Sequence, residues 1–144
     1  MTTVFDVAKF FLDRLGTMST WKLQKLCYYA QAWTLAWDGK ELFRENFHAW
    51  SNGPVCYELF QKHQGMFLID GEKFPYGDVA AITPGQMENL EIIVRDYGDK
   101  DAYWLREQVH GEDPWKIARG DTPVGEPGHA VVTKDSMGLY YGSL

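Results

Sequence analysis

Apolar residues recur at helical spacing along most of the chain and predict a mainly α-helical fold. Val4, Ala8 and Phe11 show this spacing in the first stretch, which follows two Thr that can cap a helix and precedes Gly16, which can end one. Pro54 suits the first position of a third helix, because its φ angle is preset and its missing N–H is not needed there. The predicted helices span residues 3–15, 20–38, 54–63, 84–97, 101–110 and 114–117, with a closing helical turn over residues 133–141.

Three short stretches are predicted to be extended: residues 47–51, 66–69 and 130–133. The whole pattern predicts a compact single-domain helical bundle around a long central helix, with one or two short β segments. Within one domain over residues 1–144 we expect an N-terminal helix over 3–15, a core over 20–119, and a C-terminal connector and closing segment over 120–144.

The long second helix is apolar on two sides. Its core-facing side carries Leu23, Leu26, Cys27, Ala30, Trp33 and Trp37. Trp21, Tyr28 and Leu35 follow one another at seven-residue spacing and lie almost opposite. A helix with two apolar sides needs two covering surfaces, so the Tyr28 side must pack against another element or a bound partner.

The composition is that of a folded globular protein. Hydrophobic residues make up 45% and aromatic residues 15% of the 144 positions, which is enough for one core. Charged residues interrupt the apolar N-terminal stretch, so it is predicted to be neither a signal peptide nor a membrane span. Cys27 and Cys56 both lie in apolar helical patterns, which favours reduced core thiols and a cytoplasmic protein.

The net charge of −6 is unevenly distributed. Residues 1–62 contain seven Lys/Arg and six Asp/Glu, whereas residues 63–144 contain seven Lys/Arg and fourteen Asp/Glu. Because no basic cluster is present, nucleic-acid binding is not expected. The acidic second part is either a solvated surface or an electrostatic match to a basic protein partner.

No pattern in the sequence is typical of a metal site, a phosphate-binding loop or a catalytic centre. The four His stand at no metal-ligand spacing, and neither GxxxxGK[ST] nor GxGxxG occurs. Glu112 and Asp113 are adjacent carboxylates, but Asp113 before Pro114 is explained as a helix cap. We therefore predict no enzyme and no cofactor. A small hydrolase built on Cys27 or on a His–acid pair stays open as an alternative.

The aromatic content exceeds what a core of modest helices needs, which indicates a binding function. The chain has six Trp, eight Tyr and eight Phe, and Trp and Tyr are favoured at protein interfaces. Most Trp are expected to fill the core: Trp33, Trp37, Trp104 and Trp115. Trp21, Tyr28 and Trp50 lie off the core stripes and are predicted to face a partner.

Several motifs resemble the Panacea (SocA-like) antitoxin domain. The most specific are Lys22-Leu23-Gln24-Lys25-Leu26, followed by Tyr28-Tyr29-Ala30-Gln31, and the run Ala49-Trp50-Ser51-Asn52-Gly53-Pro54-Val55. Further similarities are residues 39–43, Tyr97-Gly98, residues 112–116, residues 131–135 and Tyr140-Tyr141. Residues 65–82 and 120–128 depart from the family pattern and are expected to influence which partner is bound.

The resemblance implies an antitoxin of a type II-like toxin–antitoxin pair. Proteins of this family neutralise unrelated kinds of toxin by direct protein–protein binding, and some members occur beside phage genes. The implied partner is a cognate protein toxin, with no role for a membrane or for DNA; self-association stays open. An adaptor that delivers a partner to a protease, or an accessory protein of a phage or mobile element, is the alternative.

The resemblance also suggests roles for individual residues. The expected partner-binding residues are Trp21, Lys25, Tyr28, Gln31, Trp50, Glu112 and Asp113. The expected fold motif consists of Leu23, Gln24, Leu26, Tyr29, Gly53, Pro54 and Trp115. On this hypothesis the first helix covers part of the Tyr28 side of the second helix, and the toxin covers the rest. The competing interpretation is that the Lys and Gln residues of this motif in the second helix stabilise the fold, with Gln31 forming hydrogen bonds to buried backbone groups.

Overall fold

A computed structural model describes all residues, 1–144, and shows the mainly α fold that the sequence predicts. The seven helices are α1 (Val4–Leu15), α2 (Thr20–Asp38), α3 (Tyr57–His63), α4 (Pro84–Tyr97), α5 (Ala102–His110), α6 (Asp113–Arg119) and α7 (Lys134–Gly142). The strands are β1 (Met18–Ser19), β2 (Phe47–Trp50), β3 (Gly53–Val55), β4 (Leu68–Ile69) and β5 (Val131–Val132), and a short 3-10 helix spans Val79–Ala81. None of the helices is both long enough and apolar enough to cross a membrane.

Side chains at the helix starts fix where the helices begin. Thr3 and Asp6 form a reciprocal capping box at α1, and Thr83 and Gln86 form another at α4. Ser19 caps α2 by accepting a hydrogen bond from the backbone amide of Lys22. The predicted starts of these three helices are therefore right to within one residue.

The predicted start of the third helix is wrong. Gly53–Val55 forms an antiparallel hairpin with β2, in which Pro54 lies opposite Ala49, and α3 begins only at Tyr57. β3 is the outer strand of a sheet in the order β3-β2-β5, and β4 pairs separately with β1. An outer strand tolerates a proline, because the N–H that proline lacks has no partner strand to face.

Helix α2 packs against α1, α3, α4, α5 and α7. Its Tyr28 side is closed by other parts of the same chain: the Tyr28 ring meets Phe47 of β2 edge-on at 5.5 Å, and its hydroxyl lies 3.2 Å from that of Tyr141 on α7. At Gly138 the backbone of α7 lies close to α2, since a Cβ added to Gly138 would be 3.8 Å from the Cβ of Leu35. The expectation that α1 and a bound toxin cover this side is corrected for Tyr28 and Leu35, which α7 and β2 cover; Trp21, at the start of the helix, is only half-buried.

Two glutamines of α2 fasten irregular segments to the core. Gln24 accepts a hydrogen bond from the Cys56 amide at 2.8 Å and donates one to the Cys56 carbonyl at 3.1 Å. Gln31 binds the next segment in the same way, through the amide of Leu42 and the carbonyl of Phe43. Both side chains are fully buried, and they satisfy backbone groups that would otherwise be costly to bury.

A buried carboxylate joins three helices. Glu112 accepts hydrogen bonds from the hydroxyls of Tyr29 on α2 (2.8 Å) and Tyr141 on α7 (2.7 Å), and a third from Gln108 on α5 (3.1 Å). The ring of Tyr29 also stacks on Tyr97 of α4 at 4.2 Å. This network fixes α2, α5 and α7 around the N-terminus of α6.

Candidate protein-interaction site

A cavity of about 210 Å³ opens between the start of α2, the β2–β3 turn and the start of α5. We call it the Lys25 cavity. It is lined by Trp21, Lys25, Asn52, Ala102, Tyr103 and Arg106. Trp21 and Lys25 lie one turn apart on α2, as Ala102 and Arg106 do on α5, so each helix presents one face to the cavity.

Lys25 is almost completely buried, with 1% of its surface exposed. Its aliphatic stem packs against the backbone at Gly53, where a Cβ would lie 3.1 Å from Lys25 Cε. Its ammonium lies 5.5 Å from the ring centre of Trp21, an arrangement that favours a cation over the aromatic face. The ammonium takes part in none of the ion pairs of the chain and in none of its side-chain hydrogen bonds.

Two basic side chains, Lys25 and Arg106, line the cavity. Burial and, to a smaller extent, the neighbouring charge of Arg106 lower the pKa of Lys25 to about 8. Burial and Arg106 also lower the pKa of His110 to about 4, so that imidazole is neutral at pH 7. At neutral pH the two cations Lys25 and Arg106 therefore stand together at one opening.

Arg106 is held at the edge of the cavity by two oxygen atoms. Its Nε donates to Oδ1 of Asn52 at 3.3 Å, and its Nη1 donates to Oε1 of Glu107 at 3.0 Å. The Asn52 contact ties the β2–β3 turn to α5. Asn52 is therefore a structural link between the hairpin and the helix.

Exposed apolar side chains lie at the cavity and beside the start of α2. Tyr103 is 69% exposed and Phe67 is 70% exposed. The Thr20 amide donates to the Phe67 carbonyl at 2.9 Å, so Phe67 lies beside the first turn of α2. We use the name apolar rim for Met66, Phe67, Leu68, Tyr103 and Trp104, all of which are exposed.

The model of the family described as antitoxin SocA-like, Panacea domain, matches residues 23–116. This match covers well over half of the chain and includes most of the residues that line the Lys25 cavity. The chain belongs to the SocA-like antitoxin family. No curated protein and no solved structure matches it.

The Panacea domain brings two of the predicted partner-binding residues together in the cavity, Trp21 and Lys25. Trp50 is half-buried at a separate place, where its ring meets Phe60 edge-on at 5.0 Å and His129 at 6.2 Å. Asp113 is exposed and lies 3.6 Å from the ammonium of Lys116.

For three other residues of the Panacea domain, burial contradicts the prediction that they bind a partner. Tyr28 and Gln31 are fully buried, and Glu112 is 5% exposed. Each of them is occupied inside the chain: Tyr28 by Tyr141, Gln31 by backbone groups, and Glu112 by three donors. They stabilise the fold and present no atoms to a partner, which agrees with the competing interpretation for Gln31.

The residues expected to form the fold motif are all buried in the Panacea domain: Leu23, Gln24, Leu26, Tyr29, Gly53, Pro54 and Trp115. Trp115 shows how such a residue acts, because its indole N–H donates to the Trp50 carbonyl at 3.0 Å and so joins α6 to β2. Gly53 has a φ of 124°, which residues with a side chain rarely adopt, and it packs on Lys25.

Sequence reasoning missed several residues of the site. Trp104 was expected in the core, but it is exposed, as is Trp37 at the last turn of α2. Arg106 and Tyr103 were not singled out, and Asn52 was named only as part of the motif at residues 49–55. A signal was present in α5: with Leu105 and Val109 facing the core, Tyr103 falls on the solvent side of the helix, and an exposed Tyr is a typical interface residue.

Proposed function

We propose that this Panacea domain is the antitoxin of a type II-like toxin–antitoxin pair and neutralises one protein toxin by binding it directly. In this proposal α2 is the central helix of the domain, and the elements packed around it present the Lys25 cavity and the apolar rim to the toxin. Membership of the SocA-like antitoxin family supports the class of function. The position of the toxin on the surface is our inference from the exposed side chains.

The apolar rim is the observation that carries the proposal. Tyr103, Phe67 and Leu68 are all more than half exposed. Tyr103 lines the Lys25 cavity, and Phe67 and Leu68 lie beside the start of α2, the helix that carries Trp21 and Lys25. Exposed apolar and aromatic side chains of this kind mark interaction surfaces, because a partner that covers them removes apolar surface from water at a low cost in side-chain entropy. An interface of standard size, about 1,600 Å² in total, would extend well beyond the rim.

Binding without catalysis is the second part of the proposal. Burial raises the pKa of both thiols, Cys27 well above its ordinary value and Cys56 to about 12, so neither is a ready nucleophile. The imidazole of His63 is not accessible from solvent, because it is buried and lies 3.0 Å from the amide nitrogen of Gln24. Two buried thiols that form no disulfide also suit a reducing compartment, so we place the toxin–antitoxin pair in the cytoplasm.

The test is co-expression with the protein encoded by the neighbouring gene, scored by growth and by co-purification. We expect growth rescue together with a stable complex. Phe67→Ala and Tyr103→Ala should each reduce capture about tenfold, whereas Leu139→Ala, an equally exposed site on α7, should not.

Two results would contradict this proposal. One is rescue of growth without any complex between the purified proteins. The other is loss of the toxin only in cells that contain a particular protease, with full toxin activity in a purified mixture; that result would indicate an adaptor for degradation.

A further inference from the structure

We propose that the Lys25 cavity receives one carboxylate side chain of the bound toxin, an Asp or a Glu, with Lys25 and Arg106 as the two cations that contact it. The inference rests on the proposed function, because it names the chemistry by which the toxin is recognised. It also reverses the simplest expectation from the net charge of the chain, in which acidic residues of the antitoxin meet a basic toxin.

The first argument is the unpaired ammonium of Lys25. A buried lysine normally has a carboxylate or several acceptors beside it, because an isolated buried charge is costly. Lys25 belongs to none of the ion pairs of the chain, and the neighbouring charge of Arg106 is repulsive. The free chain therefore holds a cation that lacks its counter-charge.

The second argument is the first turn of α5, which lines the same cavity. Ala102 and Tyr103 are the first two residues of the helix, and their amides make no backbone hydrogen bond within the chain. The Asp101 side chain accepts from the Trp104 amide at 2.8 Å and so occupies only that donor. Free amides and the helix dipole favour an anion at this end, and the buried ammonium of Lys25 lies in the same cavity.

The third argument is size. A volume of about 210 Å³ is below the roughly 300–1,000 Å³ of clefts that hold drug-sized ligands. It suffices for a carboxylate side chain and a few waters, but a nucleotide would leave most of its surface outside. The exposed Tyr103 at the opening is suited to the apolar surface of a protein partner, against which a charge pair can be desolvated.

The experiment measures the affinity of the purified antitoxin for its toxin by surface plasmon resonance. Lys25→Met keeps the length of the side chain and removes its charge. Arg106→Gln removes the charge of Arg106 and keeps an amide donor beside Asn52. Each should weaken binding about tenfold or more, mainly through faster dissociation. Arg95→Gln is the control, because Arg95 is an exposed cation of α4 that pairs only with Asp96.

A double-mutant cycle identifies the occupant. Each Asp and Glu of the toxin is changed to Asn or Gln, and one of these changes should lose its effect when Lys25 is already Met. If the natural antitoxin binds and Lys25→Met and Arg106→Gln bind equally well, the cavity proposal is wrong and the proposed function survives. If the natural antitoxin binds no toxin, the proposed function itself has failed.

A titration with small anions tests whether the cavity binds a phosphate ligand instead. Inorganic phosphate and ATP are titrated into the free antitoxin, with the amide resonances of Ala102 and Tyr103 followed by NMR. We expect no saturable shift below millimolar concentration. Saturable micromolar binding of either anion that disappears in Lys25→Met would assign the cavity to a phosphate ligand and overturn the proposal.

Discussion

Replacing Lys25 by Met should make the free antitoxin more stable. The side chain is 1% exposed and its ammonium has no carboxylate partner. The fall of its pKa from 10.5 to about 8 corresponds to an unfavourable free energy of about 3 kcal/mol, because one pKa unit equals about 1.4 kcal/mol. Met fills a similar volume without the charge, and the lost contact of the ammonium with Trp21 offsets about 1 kcal/mol. The net expectation is a gain of about 2 kcal/mol in the free energy of unfolding.

The gain should depend on pH in a defined way. Below pH 8 Lys25 is protonated in both the folded and the unfolded chain, so the folded protein carries the full penalty and the variant has its full advantage. Between pH 8 and 10.5 the folded chain loses this proton before the unfolded chain does, so the stability of the natural protein rises relative to the variant. The advantage of Lys25→Met should therefore shrink across this window and vanish above it.

Urea denaturation of both proteins at a series of pH values measures this difference. At pH 7 the variant should also melt roughly 6 °C higher. A loss of stability of about 1 kcal/mol or more at pH 7, with no change across pH 8–10.5, would refute the reasoning. It would mean that the buried ammonium is compensated in the free chain and has no need of a partner's carboxylate.

Three further changes test the assignments around the site. Glu112→Ala should lose about 3 kcal/mol of stability, because it leaves two buried Tyr hydroxyls without an acceptor, whereas the exposed Asp113→Ala should change stability by less than about 0.5 kcal/mol in the same urea titration. Gly53→Ala should destabilise by about 2 kcal/mol or more in calorimetry, since it combines a φ of 124° with a Cβ placed 3.1 Å from Lys25 Cε; unchanged melting would contradict this. Tyr28→Phe should cost about 1 kcal/mol of stability and leave toxin affinity unchanged, and a tenfold weaker complex would restore Tyr28 as a contact residue.

The local structure of the helices could be predicted because it depends on nearby residues. Thr3 with Asp6, and Thr83 with Gln86, are capping pairs that any reader of the sequence can find. Pro54 misled because the same local preference, a fixed φ angle, suits both the start of a helix and an outer strand. Only the pairing with β2 decides between them, and that pairing is a long-range property.

The site was less predictable than the fold. Tyr28 lies on the apolar side of α2 that the pattern left uncovered, and nothing in its spacing says that α7, more than a hundred residues later, covers it. Trp21 and Lys25 were both among the expected partner-binding residues, but the residues that complete the cavity, Asn52 and Arg106, come from a turn and a helix far along the chain. Pattern analysis finds faces of single elements, whereas a site between elements depends on their packing.

The most direct test of the central claim is a titration of the purified antitoxin into its purified toxin, with heat and toxin activity recorded in the same samples. If the protein acts by holding its toxin, activity should fall in proportion to complex formation, with a Kd below about 1 µM, equivalent to about −8 kcal/mol. A toxin that stays fully active when saturated with the antitoxin, or a mixture that releases no heat and forms no complex, would contradict the account.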